Sequence, residues 1–420
     1  MHRWLASAVI FSLTLQLVID GQFVRATFPP EPSDGRDLLA FVTAGRIYAS
    51  ADPGPAGVYD LDRQRQEQET LTELQIEPGT GLPFMHPPHL LALQGWLTRF
   101  DYTSYWLFWA CFSICCLLAG VGFLGRLMRH EDVPPYTVAL YAMTGLAFAP
   151  FVISVVHGQD TAFVYLGIAG WLAGYIAGWS FTAGLALSLV TLRPHLAIVL
   201  AVPFVFAQRR VFAGFVAGSV MWSGVALATV GVEGALGFAS AVRSVAGFSE
   251  FGVDPRPMVN IAGLVRRLLP DSRLTAARIF AWSTWLATIL LLCRHWYRSR
   301  PVGGPAPADL GVAIVLSLVF SPHLNFSDLT LLHAAAVPAF IWASYRSGIR
   351  VPSVRIRISA DAVMLGLLLV SLSISAAAMS SQPVSDLWLI SAYALALVLT
   401  VLPLRRPEPP PPARLREPAS

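Results

Sequence analysis

Apolar residues come in long runs along this chain, and the polar residues between the runs are few and unevenly shared. The first run, about Trp4–Val24, is followed by a polar stretch over residues 28–103 that interrupts the pattern. Within it Leu38, Phe41, Val42, Gly45 and Tyr48 fall at i, i+3, i+4, i+7 and i+10, which predicts a short helix with one apolar face. Such a helix is expected to lie along a membrane surface, with Asp37 in its first turn. Two readings of that acid stand side by side. It is a carboxylate held at the bilayer face to meet a polar group on a lipid, or a first-turn acid favoured by the helix dipole, with Asp34 or Ser33 as the cap. Asp52-Pro53-Gly54-Pro55 ends the helix. The Gln- and Glu-rich residues 60–77 read as a solvated helix, and Pro83, Pro87 and Pro88 as a stiff turn leading to an apolar segment that ends at Trp96.

The remaining runs predict spans over Ser104–Leu127, Tyr136–Val156, Thr161–Gly178, Phe212–Val230, Ala276–Leu292 and Leu310–Phe320. Another reaches Trp342, and Ala360–Ala377 and Leu387–Leu404 follow. Phe181–Ala207 is interrupted by Arg193-Pro194-His195, and proline breaks a helix, so two short helices with Arg193 near their bend are expected. With about 20 apolar residues needed per crossing, the expectation is an all-α integral membrane protein of about twelve spans. It forms one polytopic domain over residues 1–404, with a second long loop at 231–272 and a disordered Pro- and Arg-rich tail at 405–420.

Composition agrees: 55% of the 420 residues are hydrophobic and 13% charged, against about 25% charged in a soluble domain. There is no lysine, and the net charge of +4 comes largely from loop and tail arginines, a topology signal and not a nucleic-acid footprint. Arginines collect after alternate spans, while the loops at 157–160, 323–327 and 379–385 hold none. By the positive-inside rule both termini are expected in the cytoplasm and both long loops outside. The N-terminal run reads as an uncleaved first span, since no small-residue cleavage site follows it cleanly. Cys111, Cys115, Cys116 and Cys293 lie inside apolar runs and read as small buried hydrophobes, without a disulfide or metal role.

On this topology Asp37, His86, His157, Gln159, Asp160, Arg193 and the 323–328 segment all come to the outer surface or just below it. Ionisable groups at membrane depth are expensive and by default mark function. Singly each has a structural reading: Gly158-Gln159 a helix end, Asp160 and Asp328 first-turn acids, His323 a satisfied buried histidine, Arg193 a snorkelling side chain. Their gathering on one side is what those readings leave unexplained.

Five pieces together resemble the polyprenol-phosphate-sugar-dependent glycosyltransferases of family 87, in the GT-C superfamily, which includes mannosyl- and arabinofuranosyltransferases. They are Asp37 followed by the apolar helix; Phe84-Met85-His86-Pro87-Pro88, similar to the family's Phe-x-Tyr-Pro-Pro; Gly158-Gln159; Arg193-Pro194; and Ser321-Pro322-His323 with Asp328. The resemblance covers about Trp4 to Trp342, with His86 standing where Tyr is usual and Arg193 where Lys is frequent. It implies a GT-C-like helical bundle in a bacterial inner membrane, its site facing the periplasm. It further implies an inverting hexosyl or pentosyl transfer from a polyprenyl-phosphate-linked sugar to a glycan or glycolipid, with membrane lipids as surroundings and no nucleic acid. Asp37 is the expected general base, the role of the first-loop acid in GT-C enzymes. Arg193, a planar fork suited to phosphate, and His323 are expected at the donor phosphate. Arg36, His86, His157, Gln159, Asp160, Asn325 and Asp328 are expected to contact substrate, Gln159 and Asn325 by reading sugar hydroxyls. No cofactor and no obligatory metal are expected. The rival expectation is a transporter or flippase using the intramembrane Arg, His and Asp as a pathway, though no inverted repeat supports it. A non-catalytic scaffold would leave the convergent polar set unexplained.

Overall fold

The computed structural model describes residues 3–52, 54–78, 80–246, 258–300, 303–347 and 360–379, and among them every regular element is helical. The predicted span Leu387–Leu404, the tail and residues 247–257 of the second long loop lie outside the described residues.

The first run forms α1 (Arg3–Thr27), and the amphipathic stretch forms α2 (Leu38–Ala49) at the residues its periodicity marks. Its surroundings differ from expectation. Leu38–Gly45 and Ile47 are all buried, so α2 is enclosed and not half exposed at a surface. The off-face residues Leu39, Ala40, Thr43, Ala44 and Ile47 are covered as fully as the marked face. Gly45 faces the Gln94 carbonyl, where a Cβ would approach to 2.8 Å, and Gly95 lies against Tyr48.

The polar stretch forms α3 (Leu61–Thr72), capped by Asp60, whose carboxylate accepts from Asp62 N and Arg63 N. This helix is not solvated all round, because Gln64 and Gln68, one turn apart, are buried. The Gln64 amide donates to the Val58 carbonyl at 2.7 Å and accepts from Phe84 N at 2.7 Å; Gln68 donates to the Leu82 carbonyl at 2.6 Å and accepts from Leu82 N at 2.9 Å. Two side-chain amides thus take the place of a neighbouring strand for the Leu82–Phe84 backbone, which proline has barred from a helix. Gln64→Ala would strand the Phe84 N–H and the Val58 carbonyl in a buried place, at about 1–3 kcal/mol per unsatisfied group. A clear drop in melting temperature is the expected result.

α4 (Leu91–Leu97) leads to α5 (Tyr102–His130), and the predicted span after it is broken into α6 (Pro135–Leu146) and α7 (Ala149–His157). Ser371 closes that break by accepting from Ala149 N at 2.8 Å and donating to the Ala147 carbonyl at 3.1 Å, which pairs the two backbone groups on either side of Phe148. α8 (Thr161–Ile176) is the centre of the main core, with Tyr165, Ile168, Ala169, Trp171 and Leu172 fully enclosed. The interrupted run gives α9 (Ser180–Leu187), a tight turn of helix over Ser188–Leu192 and α10 (Pro194–Ala201), with Arg193 at the break as its proline predicts. The short α11 (Phe204–Ala207) precedes α12 (Arg209–Ala246). α12 meets α9 backbone to backbone. Gly214 and Gly218, four apart, face Phe181 and Ser188, and Gly184 faces the Val211 carbonyl, a small-xxx-small contact that any side chain would push apart.

α12 ends its straight run at Gly231 (φ 68°), where the span was predicted to stop, but helix resumes to Ala246 within what was expected to be loop. Phe238 from that segment packs on Tyr59 at 5.2 Å between ring centroids, so the two long loops meet. After α13 (Ile261–Leu268) come α14 (Leu274–Ser299), α15 (Pro307–Val319), α16 (Leu331–Ser347) and α17 (Ala360–Met379).

Five of the described helical segments are long and apolar enough to cross a membrane: Ser7–Thr27, Tyr102–His130, Pro135–His157, Arg209–Ser244 and Leu274–Ser299. Thr161–Ile176, both halves of the interrupted run, Pro307–Val319 and Phe326–Ile341 are shorter apolar helices of the kind that needs neighbours to fill a bilayer. The cysteine reading needs correction. Cys116 is buried, but Cys111 and Cys115 are exposed and Cys293 half-buried, because the outward face of a membrane helix is as apolar as its inward face and composition does not separate them; all four are free thiols.

Candidate active site

The Asp37 carboxylate is not a helix cap. Asp37 occupies the residue before α2 but makes no side-chain capping bond, and its side chain is 44% exposed. Asp34 does not cap α2 either. Its carboxylate accepts from Glu31 N at 3.0 Å and pairs with Arg36 at 2.6 Å, while Arg36 also donates to the Thr27 carbonyl at 2.5 Å. Arg36 is thereby buried and ties the start of α2 to the end of α1, which leaves Asp37 beside it uncommitted to local structure.

The partner of Asp37 comes from the turn between α7 and α8. Gly158 adopts φ 73°, and a Cβ there would press on Leu38 at 2.6–2.7 Å, so the turn sits directly on the first residue of α2. The next residue, Gln159, donates from Nε2 to Asp37 Oδ2 at 2.5 Å and accepts at Oε1 from Arg193 at 3.2 Å. Carboxylate on one side and guanidinium on the other fix which end of the amide is which. His157 stands 3.9 Å from the same Asp37 oxygen.

Behind Gln159 lies a buried ionic cluster. Arg193, at 5% exposure, donates from Nε to Asp328 Oδ1 at 3.1 Å and is 2.8 Å from Asp160 Oδ1. Asp328 Oδ2 accepts from Asn325 N at 3.1 Å, so both its oxygens are engaged. His86 Nδ1 lies 3.0 Å from Arg193 and 3.0 Å from Asp160 Oδ2. It can accept from the first or donate to the second, but not both at once. Burial alone would raise the Asp160 pKa; the charges of Arg193 and His86, with their hydrogen bonds, reverse this and hold the carboxyl well below the usual range. The geometry therefore has Asp160 and Asp328 gripping Arg193 inside the protein, with Asp37, His157 and part of His86 left facing out.

His86 is set by an aromatic box, its ring 4.7 Å from that of Phe41 and 5.6 Å from that of Phe84, with its carbonyl accepting from Tyr59 Oη at 2.8 Å. His323 is partly buried. Burial, with the Arg193 charge helping and Asp328 opposing, brings its pKa down to about 4, so it is neutral at pH 7. It faces the His195 ring edge to face at 6.2 Å. Its loop is held by Asn260, which caps α13 and donates to the Ser321 carbonyl at 2.8 Å. Asn325 contributes its backbone N–H to Asp328.

All ten predicted site residues thus lie in this neighbourhood or, as with Arg36, brace it. Sequence reasoning passed over His89, which stacks on Trp222 at 5.5 Å and meets Thr191 at 3.4 Å, and Asn260; the His86-Pro87-Pro88-His89 spacing and an Asn opening an amphipathic helix were the signals available. Among the described residues no three His, Cys, Asp or Glu side chains meet at metal-binding spacing. The groove along Ala119, Gly122, Phe123, Arg126 and Arg129 lies far down α5 from the end that touches α2 and takes no part in this site.

Compared with known protein families, residues 84–322 match the model of glycosyltransferase family 87. The match takes in His86, the 157–160 turn and Arg193, and leaves Asp37 before it and His323 just after it. No curated protein matches the chain.

Proposed function

The chain belongs to glycosyltransferase family 87, and so is a glycosyltransferase; we propose that it moves a hexosyl or pentosyl unit from a polyprenyl-phosphate donor to a glycan or glycolipid acceptor, with inversion. The observation that carries the reading is Asp37. This carboxylate, half exposed and free of capping duty, is aimed by Gln159 from an ionic cluster that could otherwise have been apolar. As the acceptor hydroxyl attacks the anomeric carbon, Asp37 takes its proton. The new C–O bond forms while the bond from the anomeric carbon to the phosphate oxygen breaks, and the electron pair leaves with the polyprenyl phosphate.

Charge growing on that phosphate needs donors. Arg193 already faces two carboxylates, so its share is the terminal nitrogen now divided between His86 Nδ1 at 3.0 Å and the Leu192 carbonyl at 3.4 Å. When the His86 ring carries its proton on Nδ1 and donates to Asp160, that nitrogen is released toward the donor. His323, neutral in the resting site, supplies a second N–H. Arg36 and His157 flank the reacting carboxylate, and Asn325 is the amide left to read a sugar hydroxyl.

The direct test is release of free polyprenyl phosphate from radiolabelled polyprenyl-phosphate mannose or arabinofuranose by the purified protein. Intact donor throughout, with uptake of the lipid-linked sugar into the opposite leaflet, would favour a flippase.

We further propose that the enzyme is a multi-pass protein of a bacterial inner membrane, of about twelve spans, with its site on the periplasmic face. The Arg-free polar turns gather around Asp37, and the two long loops touch each other, which supports one common side. Single cysteines at positions 77 and 250 are expected to react with an impermeant thiol reagent on intact cells, and those at 210, 298 and 350 only after lysis. Reaction at 298 or 350 without 77 would reverse the topology.

A further inference from the structure

Gln159 was expected to read a sugar, yet both ends of its amide are taken and only 3% of it is exposed. Among the described residues it is the one side chain that hydrogen-bonds Asp37. Everything around it is pinned. Its N–H donates to the Ser154 carbonyl at 2.8 Å, Gly158 before it rests on Leu38, and Asp160 after it is locked to Arg193. Asp37 by contrast has no capping bond, and His157 at 3.9 Å is beyond hydrogen-bond reach. Without Gln159 the carboxylate would be free to turn about both side-chain bonds.

We propose that Gln159 is a positioning residue of the transfer reaction: it occupies Asp37 Oδ2, so that Oδ1 is the oxygen presented to the acceptor hydroxyl, and it holds that oxygen in register with Arg193. This rests on the reading of Asp37 as the base. The physical reason is economy of motion. The proton acceptor and the cation that meets the leaving group act in the same step on opposite sides of one sugar carbon. A single rigid amide of fixed length between them sets their separation before substrate arrives.

The groups facing Asp37 are Arg36 with its partner Asp34 on its own segment, His157 from α7, Arg193 and His86 behind Gln159, and His323 from the loop before α16. None of these changes in the variants below, so altered titration is traceable to position 159. Gln159→Leu keeps the bulk and removes both hydrogen bonds. With radiolabelled polyprenyl-phosphate mannose, or arabinofuranose if that is the sugar turned over, its kcat is expected to fall about 10–100-fold. Its KM for donor should stay within about twofold, and its preference between the two sugars should not change. Gln159→Glu sets a second carboxyl against Asp37. The pair would then share a proton, and the acid limb of the pH–rate profile should move up by about one unit or more.

A Gln159→Leu enzyme with raised donor KM and unchanged kcat would make Gln159 a sugar reader and overturn the proposal. So would a Gln159→Glu profile that overlays the wild type, and this arm remains decisive if Gln159→Leu fails to fold. Asp37→Asn turning over like wild type would sink the base reading and this inference together. An inactive Asp37→Asn with an unshifted Gln159→Glu profile would overturn this inference alone.

Discussion

Asp37→Asn is expected to give a well-folded protein whose transfer rate is lower by about 10²–10⁴-fold. The substitution keeps the size of the side chain and one acceptor oxygen, so the Gln159 amide can still be met, but no group is left to take the acceptor proton. The competing reading is that this acid serves the helix dipole; a capping contribution is set aside, since the carboxylate makes no capping bond. What remains is the dipole interaction, about 0.3–1 kcal/mol at an exposed site. The two readings therefore separate cleanly when turnover and melting temperature are measured in the same detergent. Asp34→Asn is the control: three residues away, it bears on Arg36 and the preceding turn and has no line to the acceptor. Turnover of Asp37→Asn at the wild-type rate would end the assignment, and His157, the other group beside that oxygen, would be examined next as the proton acceptor.

The second large effect is on stability. Arg193→Ala removes the cation that two buried carboxylates share, and breaking a buried pair from one side costs about 3–5 kcal/mol. Against a total of about 5–15 kcal/mol, that is enough to lower the yield of folded protein. Arg193→Lys keeps a charge, but three N–H groups on one nitrogen cannot serve Asp328, Asp160, Gln159 and His86 as the fork does, so partial activity is expected.

The cost also depends on pH, and its sign follows from Asp160. Its carboxyl titrates below its unfolded value, so the stability this contributes is complete above about pH 4 and is lost only as pH falls through the lower, folded value. In Arg193→Ala the same buried carboxyl is better off protonated. The gap in melting temperature from wild type should therefore be widest near neutral pH and narrow on acidification.

Because loss of folding would mask any role at the phosphate, the informative variant is Arg193→Met combined with Asp160→Asn and Asp328→Asn, which removes the whole charge set and should recover most of the stability. If that variant folds and its donor KM rises sharply, Arg193 meets the phosphate as well as bracing the site. If its KM is unchanged, the role of Arg193 is structural.

What the chain determined by itself is what a local rule can read. Apolar runs become helices because a backbone out of water must satisfy its own hydrogen bonds, whatever surrounds it. Hence α1, α5 and α14 lie where the runs predict, and Pro194 splits its run at Arg193 as its missing N–H requires. The sidedness of the arginines is likewise a linear property, and with it the prediction that Asp37, Gln159, Arg193 and Asp328 would come to one face. Which of those groups turn inward was beyond such rules. Asp160 and Gln159 are neighbours in sequence and both polar; that one locks Arg193 while the other also aims Asp37 depends on Gly158 resting against Leu38, a contact over more than a hundred residues of chain. The enclosure of α2 has the same origin. Its periodicity describes one face, and only the docking of α3, α4 and the resumed helix after Gly231 supplies what covers the other, because burial is a property of the space between elements and not of the element.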